Sequence, residues 1–369
     1  MSLTQDEKFM REALSLARSQ MGKTSPDPMV GALIVKKGKV VSKGYHAEAA
    51  TPHAEAFAIK KAGIKAKGAT LYLNLEPCCH YGYNPPCTNA IIRAGIKRVV
   101  AAMKDPNPLV AGKGFRELED AGIKVTVGVM EEEAKKLNEA FIKFITTHKP
   151  FVILKSAMSL DGKIATAAGE SKYISGKASR QYVHVMRVYI DAILTGINTI
   201  KKDNPMLTVR DIGTKKIAKR NPKKIILDPM AEIPLSSNVL KNEPEKTMVV
   251  VSSKAPKKKL DKIRATGAVV IRIRTKGGHI DLKRLMVELG EDNLMSVMIE
   301  SGGNLAASAL ESKIIDKVVF FLAPSIIGGR EALTAVEGRG IKYLSQALKL
   351  KNIEIKKIGE DILIEGYLK

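Results

Sequence analysis

The chain has 369 residues, 61 Lys+Arg against 38 Asp+Glu, a net charge of +23, 45% apolar residues and three cysteines. That length exceeds one hydrophobic core, so two domains are expected. The absence of an apolar run of 18 residues argues against a membrane span, and three clustered cysteines are too few and too close for a disulfide framework, which fits a reducing cytoplasm.

In chain order, the charged start MSLTQDEKFMREAL reads as an amphipathic helix over 6–21 and not as a secretory leader: Phe9, Ala13, Leu16 and Ala17 recur at helical spacing and Gly22 stops the run. Met29–Val35 and Val40–Tyr45 read as a hairpin around Lys37-Gly38. The stretch 53–62 is helical, and 70–75 is a strand delivering Glu76-Pro77-Cys78 at its end. Cys87 opens a helix to Ala94. A strand at 97–103, a helix at 112–121, a strand at 125–129 and one long helix over Glu131–Thr147 complete the first half. The second half restarts at Pro150 with a strong strand, 151–157, then a helix at 177–188. Further strands are expected at 191–195, 224–227, 247–251, 269–273, 294–300 and 317–323, with helices at 281–289 and 304–310 and two terminal strands. Asp211–Pro222 reads as an exposed basic loop. Alternating strands and helices argue an α/β layered architecture in both halves, with domains at 1–147 and 148–369.

Two stretches carry the chemistry: His53-Ala54-Glu55 and the run EPCCHYGYNPPC ending at Cys87. Zinc takes thiolate and imidazole ligands, and a catalytic site supplies three and leaves the fourth position to water. Two Cys and one His make such an open site. Glu55 beside His53 is then free to move the proton of the water, which is the pattern of a zinc nucleobase deaminase. Any one of these residues alone reads as a buried thiol or a core histidine; the joint pattern does not. Eight residues separate Cys78 from Cys87, against the usual two, and Cys79 competes with Cys78 as first ligand. Cys78 is preferred because it follows Pro77 as Cys87 follows Pro86.

The basic excess is spread: residues 1–149 hold 23 Lys+Arg and 15 Asp+Glu (+8), residues 150–369 hold 38 and 23 (+15). With no Trp and no basic tail interleaved with aromatics, this is weak evidence for nucleic acid; small anionic substrates and a Lys-rich, thermophile-like surface are the other readings. In the second half, strand, Ser301-Gly302-Gly303 and helix form a weak phosphate-cradle signal. KSAMSLDGKIA at 155–165 leads a strand into a polar turn, and Arg180, Arg187 and Arg210 are candidates for anion recognition.

The segments TSPDPMVGALIV, GYHAEAATPHAEAFA, EPCCHYGYNPPCTNAI and DPNPLVAGKG, then KSAMSLDGKIAT, GESKYISG, DAILTGINTI, DNPMLTVR and ESGGNLAASAL, resemble the bifunctional riboflavin-biosynthesis deaminase/reductase family over almost the whole chain. The resemblance implies a cytidine-deaminase-like first domain and a dihydrofolate-reductase-like second domain. It implies zinc-dependent deamination of a phosphorylated diaminopyrimidine, then NADPH-dependent reduction of its ribosyl group. His53, Cys78 and Cys87 match the ligands of one zinc per chain, and Glu55 the proton shuttle. Ser171, Arg187, Leu207, Arg210 and Glu300 match substrate-binding positions, with Lys155 a further candidate. Ala157, Tyr173, Thr199 and Asp203 match NADPH contacts, as does the turn Gly302, Gly303, Asn304, Leu305, Ala306, Ala307 and Ser308. Four positions depart from the family: Tyr173 stands for Trp, Asp27 for Asn, Cys79 for Ser and Asn84 for Thr. Two other readings are kept, a tRNA-type nucleic-acid deaminase and a non-catalytic zinc module. Nothing in the sequence sets the oligomeric state, and a homo-oligomer stays open.

Overall fold

The computed structural model describes residues 3–82, 84–213 and 220–368, so part of the expected basic loop (214–219) lies outside the described residues. The chain divides into two compact units, with the break between His148 and Lys149.

In the first unit, helix α1 (Gln5–Arg18) starts at a capping box: Thr4 Oγ1 accepts from the Glu7 N–H at 3.3 Å and Glu7 Oε2 accepts from the Thr4 N–H at 2.7 Å. Its buried face is Met10, Ala13, Leu14 and Ala17. Strands β1 (Gly31–Lys36) and β2 (Lys39–Tyr45) form the expected hairpin, with Lys37 and Gly38 both at positive φ, as a tight primed turn demands. Then follow α2 (Ala54–Ala62), β3 (Thr70–Leu73), α3 (Cys87–Arg93), β4 (Arg98–Ala101), α4 (Lys113–Asp120), β5 (Lys124–Val127), α5 (Glu131–Leu137) and α6 (Glu139–Thr147). The sheet order is β2-β1-β3-β4-β5; β1 runs antiparallel to both neighbours and β3, β4 and β5 are parallel.

The long helix expected over Glu131–Thr147 is two helices. The break falls at Asn138, whose backbone leaves the helical region (φ −107°, ψ 23°). Its buried side chain accepts from the Met29 N–H at 2.9 Å and donates to the Met29 carbonyl at 3.0 Å. Asn74 donates to the same carbonyl at 2.9 Å and accepts from the Gly31 N–H at 2.8 Å. Two side-chain amides thus satisfy the backbone entering β1, where leaving a buried group unpaired would cost about 1–3 kcal/mol. Helical periodicity does not register such a tertiary bond.

The second unit runs β6 (Phe151–Ser159), α7 (Lys177–Tyr189), β7 (Ala192–Gly196), α8 (Ile197–Asp203), β8 (Lys223–Leu227), α9 (Asn238–Lys241), β9 (Thr247–Val251), α10 (Lys257–Arg264) and β10 (Val269–Arg272). A small ribbon, β11 (Thr275–Lys276) and β12 (His279–Ile280), leads to α11 (Leu282–Glu291), β13 (Ser296–Glu300), α12 (Gly303–Glu311), β14 (Lys317–Ala323), β15 (Leu350–Ile358) and β16 (Asp361–Leu368). One sheet holds nine strands in the order β10-β9-β8-β7-β13-β6-β14-β16-β15, parallel except for β16, which is antiparallel to both neighbours. Both faces are covered, so the central strands are near-continuous apolar runs. Leu154, Leu194 and Val297 point to one core; Ile193, Met298 and Phe321 point to the other. Helices α8, α9 and α10 and the ribbon β11–β12 go beyond the expected elements. The run Lys257-Lys258-Lys259 is the solvated first turn of α10, whose Leu260 and Ile263 are buried.

Helix and sheet approach most closely at Gly31, where a Cβ would lie 2.1 Å from the Ala13 carbonyl oxygen of α1. Gly31→Ala therefore forces backbone apart and should destabilise the first unit by ~1–3 kcal/mol. Gly82→Ala, with nothing within 4 Å of the added carbon, should stay within ~0.5 kcal/mol of wild type. Calorimetric melting of both variants checks the pair.

Candidate active sites

In the first unit the ends of three elements converge. His53 is the N-cap of α2, Cys78 follows β3, and Cys87 opens α3. Their ligand atoms lie within 4.8 Å of one another. His53 Nδ1 is 3.3 Å from Cys87 Sγ and 3.5 Å from Cys78 Sγ. A tetrahedral zinc with bonds of about 2.0–2.3 Å has edges of about 3.5 Å, so both edges from His53 Nδ1 already match that tetrahedron. Cys79 is turned away, its Sγ 4.0 Å from the Leu109 carbonyl. A hydrogen bond from Cys87 and then one from His53 hold the Cys78 thiol down to about 4, against the pull of burial. The bond to Cys78 raises His53 to about 9, and Cys87 is pushed up, first by Cys78 and then by burial. A divalent cation bound by the three would displace the protons on His53 and Cys87.

The cluster opens on a cavity of ≈ 340 Å³ lined by Asp27, His46, Glu55, Asp105 and Phe144, among others. Glu55 is buried, and its Oε2 has no hydrogen-bond partner. Burial, then the neighbouring Cys78, raises its pKa. Asp27 touches His46 Nε2 at 3.0 Å. Burial pushes Asp105 up to about 7, against the hydrogen bond from the Asn107 N–H. Glu76 is buried for a different reason: it accepts from the N–H groups of Asp105 (3.0 Å), Gly112 (2.9 Å) and Phe115 (3.3 Å), pinning the loop that forms one wall. The motif reading missed Glu76, Asp105 and His46. Glu76 stands beside the quoted Pro-Cys, and only the fold reveals that its carboxylate braces a loop.

In the second unit, parallel pairing of β6 with β13 sets Lys155 beside Glu300. Lys155 Nζ is 3.6 Å from Glu300 Oε2. Arg187 of α7 meets the same carboxylate with two bonds, Nε to Oε1 at 2.8 Å and Nη2 to Oε2 at 3.0 Å, and its Nη1 donates to the Thr208 carbonyl at 3.0 Å. Burial would raise Glu300, but the charges of Arg187 and Lys155 hold it down at about 2. Burial lowers Lys155. Ala157 lies two residues along β6 on the same face. Leu207 is buried at φ 52°, and Arg210 is exposed after it. Thr199 and Asp203 are partly exposed on α8, and Ser171 on the loop before α7. Tyr173 is 72% exposed, with the Arg180 guanidinium 4.3 Å from its ring centre.

The glycine turn behaves differently from a bare phosphate cradle. A Cβ on Gly303 would sit 2.3 Å from the Thr334 carbonyl, and the Glu337 N–H donates to the Gly303 carbonyl. Gly303 is therefore required by chain packing, while Gly302 faces open space. Leu305 and Ala306 pack into the core on the sheet face opposite Arg187, Ala307 is buried, and Gly302, Asn304 and Ser308 remain accessible. His184, one turn before Arg187 on α7, was overlooked, although its three-residue spacing from Arg187 was readable.

Residues 3–103 match the cytidine and deoxycytidylate deaminase zinc-binding region, and residues 150–364 match the RibD C-terminal domain. Riboflavin biosynthesis protein RibD of Aquifex aeolicus is 46% identical over 97% of each chain, and that of Escherichia coli strain K12 is 38% identical over 98% of each. Acinetobacter baumannii RibD superposes with a TM-score of 0.89 at 38% identity, covering 99% of both chains. The diaminohydroxyphosphoribosylaminopyrimidine deaminase/5-amino-6-(5-phosphoribosylamino)uracil reductase of Thermotoga maritima gives 0.83 at 35% identity, also over 99% of both.

Glu300→Gln leaves Arg187 and Lys155 as buried cations without their counter-charge, which should cost about 3–5 kcal/mol. The folded pKa of Glu300 is depressed to about 2 from an ordinary 4.5. Its stabilisation is thus present above pH 4.5 and lost as the pH falls toward 2. Denaturant unfolding at several pH values should show the wild-type advantage shrinking across that acid window.

Proposed function

This chain belongs to the RibD family of bifunctional riboflavin-biosynthesis enzymes, and from that premise we propose how its own residues divide the two reactions. The halves are a cytidine-deaminase-like and a dihydrofolate-reductase-like α/β unit. The chain deaminates 2,5-diamino-6-ribosylamino-4(3H)-pyrimidinone 5′-phosphate and then reduces the ribosyl group, giving 5-amino-6-ribitylaminouracil 5′-phosphate.

His53, Cys78 and Cys87 hold the zinc; the soft donor set and its spacing support this. Bound by these three residues, zinc would supply the Lewis acidity that brings a water toward ionisation at neutral pH. Glu55 would take one proton of the attacking water at Oε2 and pass it to the ring nitrogen, then carry the water's second proton to the departing amine, which leaves as ammonia. The observation that carries this role is the unpartnered Glu55 Oε2, buried in the same cavity as His53 and Cys78. Asp27 and His46 form the pyrimidine-facing wall.

In the reductase half, bound NADPH would supply the hydride that reduces C1′ of the ring-opened ribosylamine, the imine nitrogen taking a proton from solvent. Ala157, Tyr173, Thr199, Asp203 and the accessible part of the Gly302–Ser308 turn contact the cofactor. Lys155 and Glu300 face the sugar, and Ser171, Leu207, Arg187 and Arg210 form the phosphate end. Arg187 already spends three N–H groups on Glu300 and Thr208, leaving two for phosphate, so Arg210 is the main anion reader. The reading keeps a small phosphorylated pyrimidine as the only ligand besides NADPH and zinc, with neither nucleic acid nor membrane as partner. Among the described residues no helix is long and apolar enough to cross a bilayer. Three free thiols suit the cytoplasm, and exposed Ile353 and Ile355 on edge strand β15 suit a homo-oligomer.

A nucleic-acid deaminase and a zinc-only module both leave the whole second unit without a task. Metal analysis should find one zinc per chain, kept in Cys79→Ser and largely lost in Cys78→Ser; the reverse result would overturn the ligand choice. Glu55→Gln should keep zinc yet slow ammonia release by ~10²-fold or more, while still reducing the deaminated nucleotide. Loss of NADPH oxidation in that variant would sink the division of labour.

A further inference from the structure

Helix α7 presents Gln181, His184 and Arg187 three residues apart, on one face. Each grips the segment 208–211. Gln181 Nε2 donates to both carboxylate oxygens of Asp211, at 3.2 and 3.1 Å. His184 Nδ1 accepts from the Arg210 backbone N–H at 3.3 Å. Arg187 Nη1 donates to the Thr208 carbonyl at 3.0 Å. Behind this clasp the Val209 N–H donates to Asn221 Oδ1 at 2.8 Å, and the segment is entered through buried Leu207 at positive φ. Three rungs from one helix face therefore fix where the Arg210 backbone lies.

The middle rung has a chemical signature. A backbone N–H only donates, so Nδ1 of His184 carries no proton and the neutral ring keeps its hydrogen on Nε2. A histidinium could not accept this bond. Burial, then the charges of Arg187 and Arg210, hold the ring neutral by lowering its pKa to about 4, with Glu300 and Asp211 acting in the opposite sense.

We infer that His184 is a positioning residue for substrate phosphate: as the middle rung of the clasp it holds the Arg210 backbone and so aims the Arg210 guanidinium. The inference rests on the reading that Arg210 recognises the 5′-phosphate. It touches neither hydride transfer nor deamination, so its mark is on KM for a phosphorylated substrate and not on kcat.

The test is reductase kinetics on the deaminated nucleotide, with and without its phosphate, for wild type, His184→Ala, His184→Asn, His184→Gln, Arg210→Ala and the His184→Ala/Arg210→Ala double variant. Losing one backbone hydrogen bond should raise KM for the phosphorylated form roughly fivefold, with kcat, ammonia release and KM for the dephosphorylated form held within about twofold. Asparagine places an amide oxygen near the Nδ1 position and should restore most of the loss. Glutamine fills the space but reaches the Nε2 position, and should behave like alanine; it keeps the comparison alive if alanine fails to fold. Adding His184→Ala to Arg210→Ala should change KM little. Equal losses with both substrates, no rescue by asparagine, or full additivity with Arg210→Ala would overturn the inference while leaving the phosphate reading intact. An Arg210→Ala enzyme that prefers the phosphorylated form as strongly as wild type does would fail that reading and this inference together.

Discussion

Burying a charge costs several kcal/mol unless donors or counter-charges meet it, and both units are organised around that cost. Glu76 is met by three backbone N–H groups. Asp191 takes the N–H groups of Met295 and Ser296 and the Ser296 hydroxyl on one oxygen. Glu300 takes a two-bond arginine. In each case the compensation ties a strand end to a neighbouring loop or helix. Glu55 is, among the described residues, the acid that departs from this pattern: its Oε2 is buried with no hydrogen-bond partner. Such a deficit in a buried acid is what a group kept free to exchange a proton would show.

The two sites differ in how much of them the sequence could show. The candidate deaminase residues are local: His53 caps the helix whose first turn holds Glu55, and Cys78 and Cys87 flank one loop, so residue type and spacing suffice. The reductase cluster is assembled from β6, α7 and β13, with Lys155 and Glu300 145 positions apart in sequence and side by side only through strand register. Residue type offered Arg187 as one of three arginines and resemblance to a family supplied Lys155 and Glu300; periodicity could not bring them together. Their burial was equally hidden, because an arginine in an amphipathic helix reads as solvated until its face is known, and Arg187 faces inward.

Glycines illustrate a second limit. Gly302-Gly303 suggested a cradle for an anion, yet Gly303 answers to the Thr334 carbonyl and Gly31 to the Ala13 carbonyl. A glycine pair in a strand-to-helix turn encodes closeness of backbone, and the sequence does not say whether the close neighbour is a ligand or the chain itself. Asn138 is the polar counterpart: it interrupts an otherwise helical pattern because a distant backbone needs its amide.

That amide has a consequence for modularity. The deaminase-type sequence pattern ends at residue 103, but Phe141, Phe144 and Ile145 line the cavity and Asn138 holds the backbone that enters β1. The smallest portable deaminase cassette therefore extends some 45 residues beyond the recognisable pattern. A cut that keeps this cavity wall with its sheet falls after His148, at the seam between the two compact units.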